Sequence, residues 1–188
     1  MSSRPSTRLA TAGLAGHVFF ELAAGVGMPF ASVLGPLPAA VAWACGSAAL
    51  DRLAARPSPA GDRTLTVANG LGLAAVVGHL AGWPSRRTRV GLPWLVDCEG
   101  LGPRLMRWYN PIVYASGLGA LGGLLQENRS APRWLGWSVL AAVPVLVRVQ
   151  HAEHERLRTL ASTRPGWWNR RLRVGAVSAR GRWAPQHA

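Results

Sequence analysis

His17 and Glu21 stand four residues apart in the stretch HVFFE, inside a run, residues 9–35, that holds no other ionisable side chain. On a helix, positions i and i+4 share one face, so the imidazole and the carboxyl can be hydrogen-bonded to each other. Burial disfavours the charged form of each group and pairing restores it, so the two could hold one exchangeable proton near neutral pH. That is what a general acid or base requires. An ionisable group in hydrocarbon costs about 2.5–3.5 kcal/mol on insertion scales, and its presence in so apolar a run calls for a use. A purely structural use is the competing reading, in which the pair satisfies backbone carbonyls or an arginine across a helix interface.

Other polar groups can be set beside this pair. His79 lies near the end of a second apolar run, and Tyr109 and Asn110 near the start of another. The connection 84–110 mixes Leu92, Trp94, Leu101 and Trp108 with Asp97 and Glu99. It is too long for a turn and too hydrophobic for disorder, which suits a lid, a re-entrant segment or an interfacial helix. Glu99 and Asp97 thus join Glu21 and His17 as candidate catalytic groups. His79, Tyr109, Asn110, Phe20 and Trp108 are candidate substrate contacts, the aromatic faces suiting a developing positive charge. In HAEHE (151–155), His151 and His154 could share a face, but no third ligand is evident and no metal is expected. A haem between His17 and His79 is disfavoured because they would sit at different depths, and no cofactor is expected. Cys45 and Cys98 form no C-x-x-C pair. Neither G-x-S-x-G nor a phosphate-binding G-x-x-x-x-G-K-[ST] occurs, which argues against serine hydrolases and nucleotide-driven functions.

The elements that must position these groups follow from composition. Of 188 residues 49% are hydrophobic and 15% charged, and the charges are bunched between long apolar stretches. Five windows, 9–28, 36–53, 64–83, 111–126 and 134–149, have about the length that crosses roughly 30 Å of hydrocarbon. The expected fold is all-α, an integral membrane bundle of about five transmembrane helices in the cell membrane. Pro36 and Pro111 suit first turns, Pro84 stops the third helix, and Pro144 should kink the fifth. Gly119 and Gly123 form a G-x-x-x-G, so the fourth helix should approach a neighbour closely. The run after Arg4 and Arg8 is longer than a signal-peptide core and carries a central glutamate, so it is read as a true first helix.

All 21 basic residues are arginine, and the net charge is +13. With the N-terminus outside and the C-terminus inside, the inner side collects Arg86, Arg87, Arg89, Arg104, Arg107 and eight arginines beyond residue 155, against seven outside. The positive-inside rule favours that orientation. The chain then divides into a helical membrane domain, 1–156, and a basic cytoplasmic tail, 157–188. Anionic lipid accounts for the tail's charge, so no nucleic-acid partner is expected. Association into a homo-oligomer stays open.

The in-membrane H-x-x-x-E of His17 and Glu21 resembles the His/Glu helix motif of the emopamil-binding family of sterol isomerases. The five-span architecture is similar to that of small integral-membrane terpene cyclases. The resemblance implies proton transfer on an isoprenoid or lipid skeleton drawn from the bilayer. It carries only to His17 and Glu21, since Leu22-Ala23 follow where the isomerases have Gly-Trp. The alternative, from another class, is a non-enzymatic membrane subunit or small transporter with a polar intramembrane path.

Overall fold

The computed structural model describes residues 4–56 and 58–173. The helices are α1 (Pro5–Ala24), α2 (Ala31–Leu34), α3 (Pro36–Ala55), α4 (Pro59–Gly82), α5 (Gly102–Gln126), α6 (Arg133–Ser138) and α7 (Val143–Thr163). A 3-10 turn, Val139–Ala142, joins α6 to α7, and a two-stranded hairpin, β1 (Ser85–Arg87) and β2 (Pro93–Leu95), lies between α4 and α5. The all-α expectation therefore holds apart from this hairpin. The five charge-poor windows fall largely on helices, but the expectation of about five membrane-crossing helices is not met by length and apolarity. Among the described residues, two helical runs, Pro59–Gly82 and Arg133–Thr163, are long and apolar enough to cross a membrane.

Three boundaries differ from expectation, each for a local reason. Helix α1 stops at Ala24, because Gly25 adopts φ 84° and its N–H turns back to the Glu21 and Leu22 carbonyls. Helix α5 begins nine residues before Pro111 and runs through it. The turn that lacks the proline N–H is supported by Asn110, whose Nδ2 donates to the Met106 carbonyl at 2.8 Å. In the fifth run the break falls at the 3-10 turn, which places Pro144 in the first turn of α7, where proline is tolerated.

The packing centre is the seam between α1 and α5. Small residues on both helices let the backbones approach: a Cβ on Gly13 would lie 2.7 Å from the Ser116 nitrogen, and one on Gly119 would lie 2.5 Å from the Ala10 nitrogen. The pairs 13 with 116 and 10 with 119 define an antiparallel register, so Glu21 on α1 must face the first turns of α5. The expected close approach of the Gly119 turn is thereby seen, with α1 as the neighbour.

One end of the bundle is locked by a polar network. Arg4, 5% exposed, donates to the Leu53 and Ala54 carbonyls at 3.1 Å each and pairs with Asp62 on α4. The second Asp62 oxygen accepts from the Ser130 N–H at 3.0 Å. The Glu127 carboxylate accepts from the N–H groups of Ser6 and Thr7 at 2.8 and 2.9 Å, satisfying two orphan donors of the first turn of α1. At the opposite end Asn110 bonds both the N–H and the carbonyl of Leu95, fastening β2 to α5. The sequence after residue 156 packs on the helices: Leu157, Ala161 and Leu172 are buried in the core, and Arg170 and Arg171 donate to the Ala23 and Ala24 carbonyls at the end of α1. Residues 174–188 of the expected tail lie outside the described residues.

Candidate functional site

Glu21 is three residues from the end of α1 and His79 three residues from the end of α4. These helices close at one level, so the two side chains meet: His79 Nε2 lies 3.9 Å from Glu21 Oε1. His17, one turn back on α1, brings its ring centroid to 5.5 Å from that of His79 in an edge-on arrangement. The expected difference in depth is thus reduced to about one turn, and the two rings meet in spite of it. The expectation rested on extending α1 to residue 28, about 6 Å too far at 1.5 Å per residue.

Tyr109, in the second turn of α5, closes the cluster. Its hydroxyl donates to Glu21 Oε1, and its ring lies 6.1 Å from His17, 6.3 Å from His79 and 5.9 Å from Phe20. Glu21 is 1% exposed and Tyr109 fully buried. Two imidazoles, a carboxyl and a phenol thus converge from three helices, with little water to compete for their lone pairs.

The orientation of His79 is set from behind. Its Nδ1 lies 3.0 Å from the Ala75 carbonyl and 3.0 Å from the Gln150 amide on α7. A carbonyl can only accept, so Nδ1 carries the proton and Nε2 presents a bare lone pair to the cluster. Gln150 Oε1 has no other partner among the described residues; with the amide turned so that this oxygen faces Nδ1, it shares the same proton. His79 Nε2 and His17 Nδ1 are buried and without a hydrogen-bond partner among the described residues.

His17, Glu21 and His79 of the cluster form one wall of a cavity of about 250 Å³ between α1, α2, α3, α4 and α7, with Tyr109 behind them. Its other walls are mostly apolar, including Val18, Met28, Val33, Trp43, Val149 and Leu157. Phe30 and Val33 on its lining are 56% and 74% exposed, so an apolar rim leads into a polar interior. Glu99 reaches the cavity from a left-handed backbone position, φ 53°. Burial, and after it the charge of Glu153, push its carboxyl up to about 7. Burial also raises the thiol of neighbouring Cys98. Glu153 accepts from the Ser32 N–H at 3.1 Å and from Arg156 at 2.9 Å, pinning α2 over this side of the cavity.

Of the residues singled out from sequence, the structure gathers Glu21, His17, His79, Tyr109, Phe20 and Glu99. Asp97 is not among them: it is exposed and accepts from the Gly102 N–H, supporting the start of α5. Trp108 is 59% exposed and stacks with Arg107, so it cannot contact a ligand in this cavity. Asn110 is spent on the hairpin. The connection 84–110 is accordingly a hairpin, a short loop and the first turns of α5. In HAEHE, His151 donates to the Gly82 carbonyl or stacks on Trp83, which His154 also flanks, so the two histidines clasp an indole ring. Gln150 and Glu153 were missed; the signal available was a second pair of polar groups, three apart, at the end of the apolar run 134–149.

The fold and site define a helical protein with a carboxyl–imidazole–phenol cluster sealed against an apolar cavity. Comparison with protein families, with curated proteins and with solved structures finds no match to this chain.

Proposed function

We propose that the chain is a multi-pass membrane enzyme, N-terminus outside and C-terminus inside, that moves a proton on an apolar, isoprenoid-type substrate entering from the bilayer. The observation that carries this reading is the group Glu21, His79 and His17, with Tyr109 bonded to Glu21, facing a mostly apolar cavity whose rim residues Phe30 and Val33 are exposed. A protonated Glu21 gives its proton to one carbon of a substrate double bond, and the adjacent carbon becomes cationic. The faces of Trp43 and Phe30, stacked with centroids 6.0 Å apart, stabilise that charge. Loss of a proton from a neighbouring carbon to the bare Nε2 of His79 restores a double bond in a new position, and return of the proton to Glu21 completes the cycle. Tyr109 holds the Glu21 carboxyl in place throughout.

The membrane reading draws on ionisable and amide groups buried in the helices beside large apolar residues left on the outside. His17, Glu21, Asn69 and His79 are buried, whereas Leu9, Val41, Leu71, Leu118 and Val145 face outward. The test replaces Glu21 by Gln and His17 by Ala, confirms membrane insertion, and profiles lipids and terpenoids in the producing cells. Loss of a product, or accumulation of its precursor, in both variants is the expected result. Unchanged profiles together with collapse of a partner complex would replace the enzyme by a membrane subunit.

A further inference from the structure

We infer that His17, Glu21 and His79 form a binding site for one divalent first-row transition-metal ion. The inference goes beyond proton transfer and does not depend on it. An ion on Glu21 occupies the lone pair that a proton would use, so the metal-loaded and proton-carrying forms are alternative states of one site.

Geometry supports this first. One ligand atom from each of the three residues lies within 4.8 Å of the other two, and His79 Nε2 is 3.9 Å from Glu21 Oε1. Ligand atoms bound tetrahedrally about 2.1 Å from one ion lie about 3.4 Å apart, so the 3.9 Å His79–Glu21 pair needs to close by about 0.5 Å and the widest spacing the set allows by about 1.4 Å. The second support is the pair of orphaned nitrogens. Leaving a buried ring nitrogen unpaired costs about 1–3 kcal/mol, and this cluster carries two, His17 Nδ1 and His79 Nε2, on residues 5% and 6% exposed. An ion bound at His79 Nε2 beside Glu21 would remove the penalty there.

The surroundings match what a ligand set needs. His79 gives its Nδ1 proton to the Ala75 carbonyl, which fixes Nε2 as the unprotonated nitrogen, and Tyr109 holds one Glu21 oxygen. Two imidazoles and one carboxylate favour Zn2+, Fe2+ or Co2+ over Mg2+ or Ca2+. Three protein ligands leave a coordination position open, as catalytic rather than structural sites do. A Glu99 oxygen lies within 4.8 Å of a His79 ring nitrogen and is placed to balance the remaining charge.

The experiment uses the full chain in detergent, stripped with a chelator and titrated with Co2+, the visible d–d absorption reporting the ion. One equivalent is expected to bind, to be displaced by Zn2+, and to be weakened at least 100-fold in His17→Gln and in His79→Gln. Tyr109→Phe should weaken binding about 10-fold as a supporting contact. His151→Gln with His154→Gln should bind as wild type does. Absence of the band in folded wild type overturns the inference, as does its loss in the 151/154 double variant or its persistence in both single variants. Should a single variant not fold, X-ray absorption of the Zn2+-loaded wild type decides alone. Two imidazoles with oxygen support the site, and sulfur or all-oxygen ligation removes it. None of these readouts uses turnover, so a negative lipid profile for Glu21→Gln and a negative metal titration remain separate results.

Discussion

Replacing Gly119 by alanine perturbs the seam that holds Glu21 against Tyr109. The added Cβ would lie 2.5 Å from the Ala10 nitrogen, 2.8 Å from the Ser6 carbonyl oxygen and 3.0 Å from the Ala10 Cα. All three are backbone atoms, so no side chain can rotate away. Ordinary contact is about 3.5 Å, and α1 and α5 would have to part by about 1 Å. Overpacking of this kind costs about 1–3 kcal/mol. Alanine's better helix propensity returns up to about 1 kcal/mol, leaving a net loss of about 1–2 kcal/mol. Gly46, in the interior of α3, is the internal control: a Cβ there meets nothing within 4 Å. Its alanine variant should gain about 0.5–1 kcal/mol. By the usual scaling of about 2–4 °C per kcal/mol for chains of this size, Gly119→Ala should melt about 2–8 °C below wild type. Gly46→Ala should melt about 1–4 °C above it. Tryptophan fluorescence during thermal unfolding in detergent reads both. If Gly119→Ala matches or exceeds Gly46→Ala, the seam is misassigned and the meeting of Glu21 with Tyr109 fails with it.

Arg4→Met should destabilise the fold by about 3–5 kcal/mol, because it strands the buried Asp62 carboxylate, whereas Arg8→Ala, from a half-exposed pair with Asp51, should leave the unfolding midpoint unchanged. Equal effects in thermal unfolding would contradict the buried network at that end. Glu99→Gln tests the raised carboxyl. A folded pKa of about 7 above the ordinary 4.5 means that the wild-type protein has its full stability below pH 4.5 and loses it as pH rises through 7. The whole shift corresponds to about 3 kcal/mol, and partial exposure of Glu99 reduces it to about 1–2 kcal/mol. The variant should therefore match wild type at pH 4.5 and exceed it at pH 8; a constant difference across that range rules out the shift.

Much of the helical layout was legible because charge-free windows and prolines report on solvent and backbone directly. Leu9 to Ala24 is apolar apart from Thr11, His17 and Glu21 whatever it packs on, and Pro36 can start a helix without a partner. His17 and Glu21 were legible as a pair because i and i+4 spacing is a property of one helix. Their meeting with His79 and Tyr109 was not, since it depends on where two helices stop. Gly25 ends α1 four residues before the expected limit, and this moved Glu21 level with His79. The roles of Asp97 and Trp108 failed for a related reason. Polarity within a connection says nothing of direction, and the early start of α5 at Gly102 spent Asp97 on its first turn and turned Trp108 outward.

The two free cysteines provide a test of the membrane reading that needs no substitution. Cys45 is exposed on the protein and lies midway along α3, about 14 Å from its start at 1.5 Å per residue, while Cys98 is buried. If α3 lies in a bilayer, Cys45 is exposed to acyl chains rather than water, out of reach of a water-soluble reagent. A membrane-impermeant charged thiol reagent should then leave the protein in sealed vesicles unmodified, while a lipid-soluble maleimide reacts slowly at one site per chain. Cys98, with its thiol raised by burial, should react with neither until the fold opens. Dissolving α3's surroundings in denaturant should expose two thiols per chain. Rapid labelling of Cys45 by the charged reagent in intact vesicles would put α3 in water. The outward-facing Leu37 and Val41 on the same helix would then need a protein partner to cover them, and the enzyme reading would lose its route for a bilayer substrate.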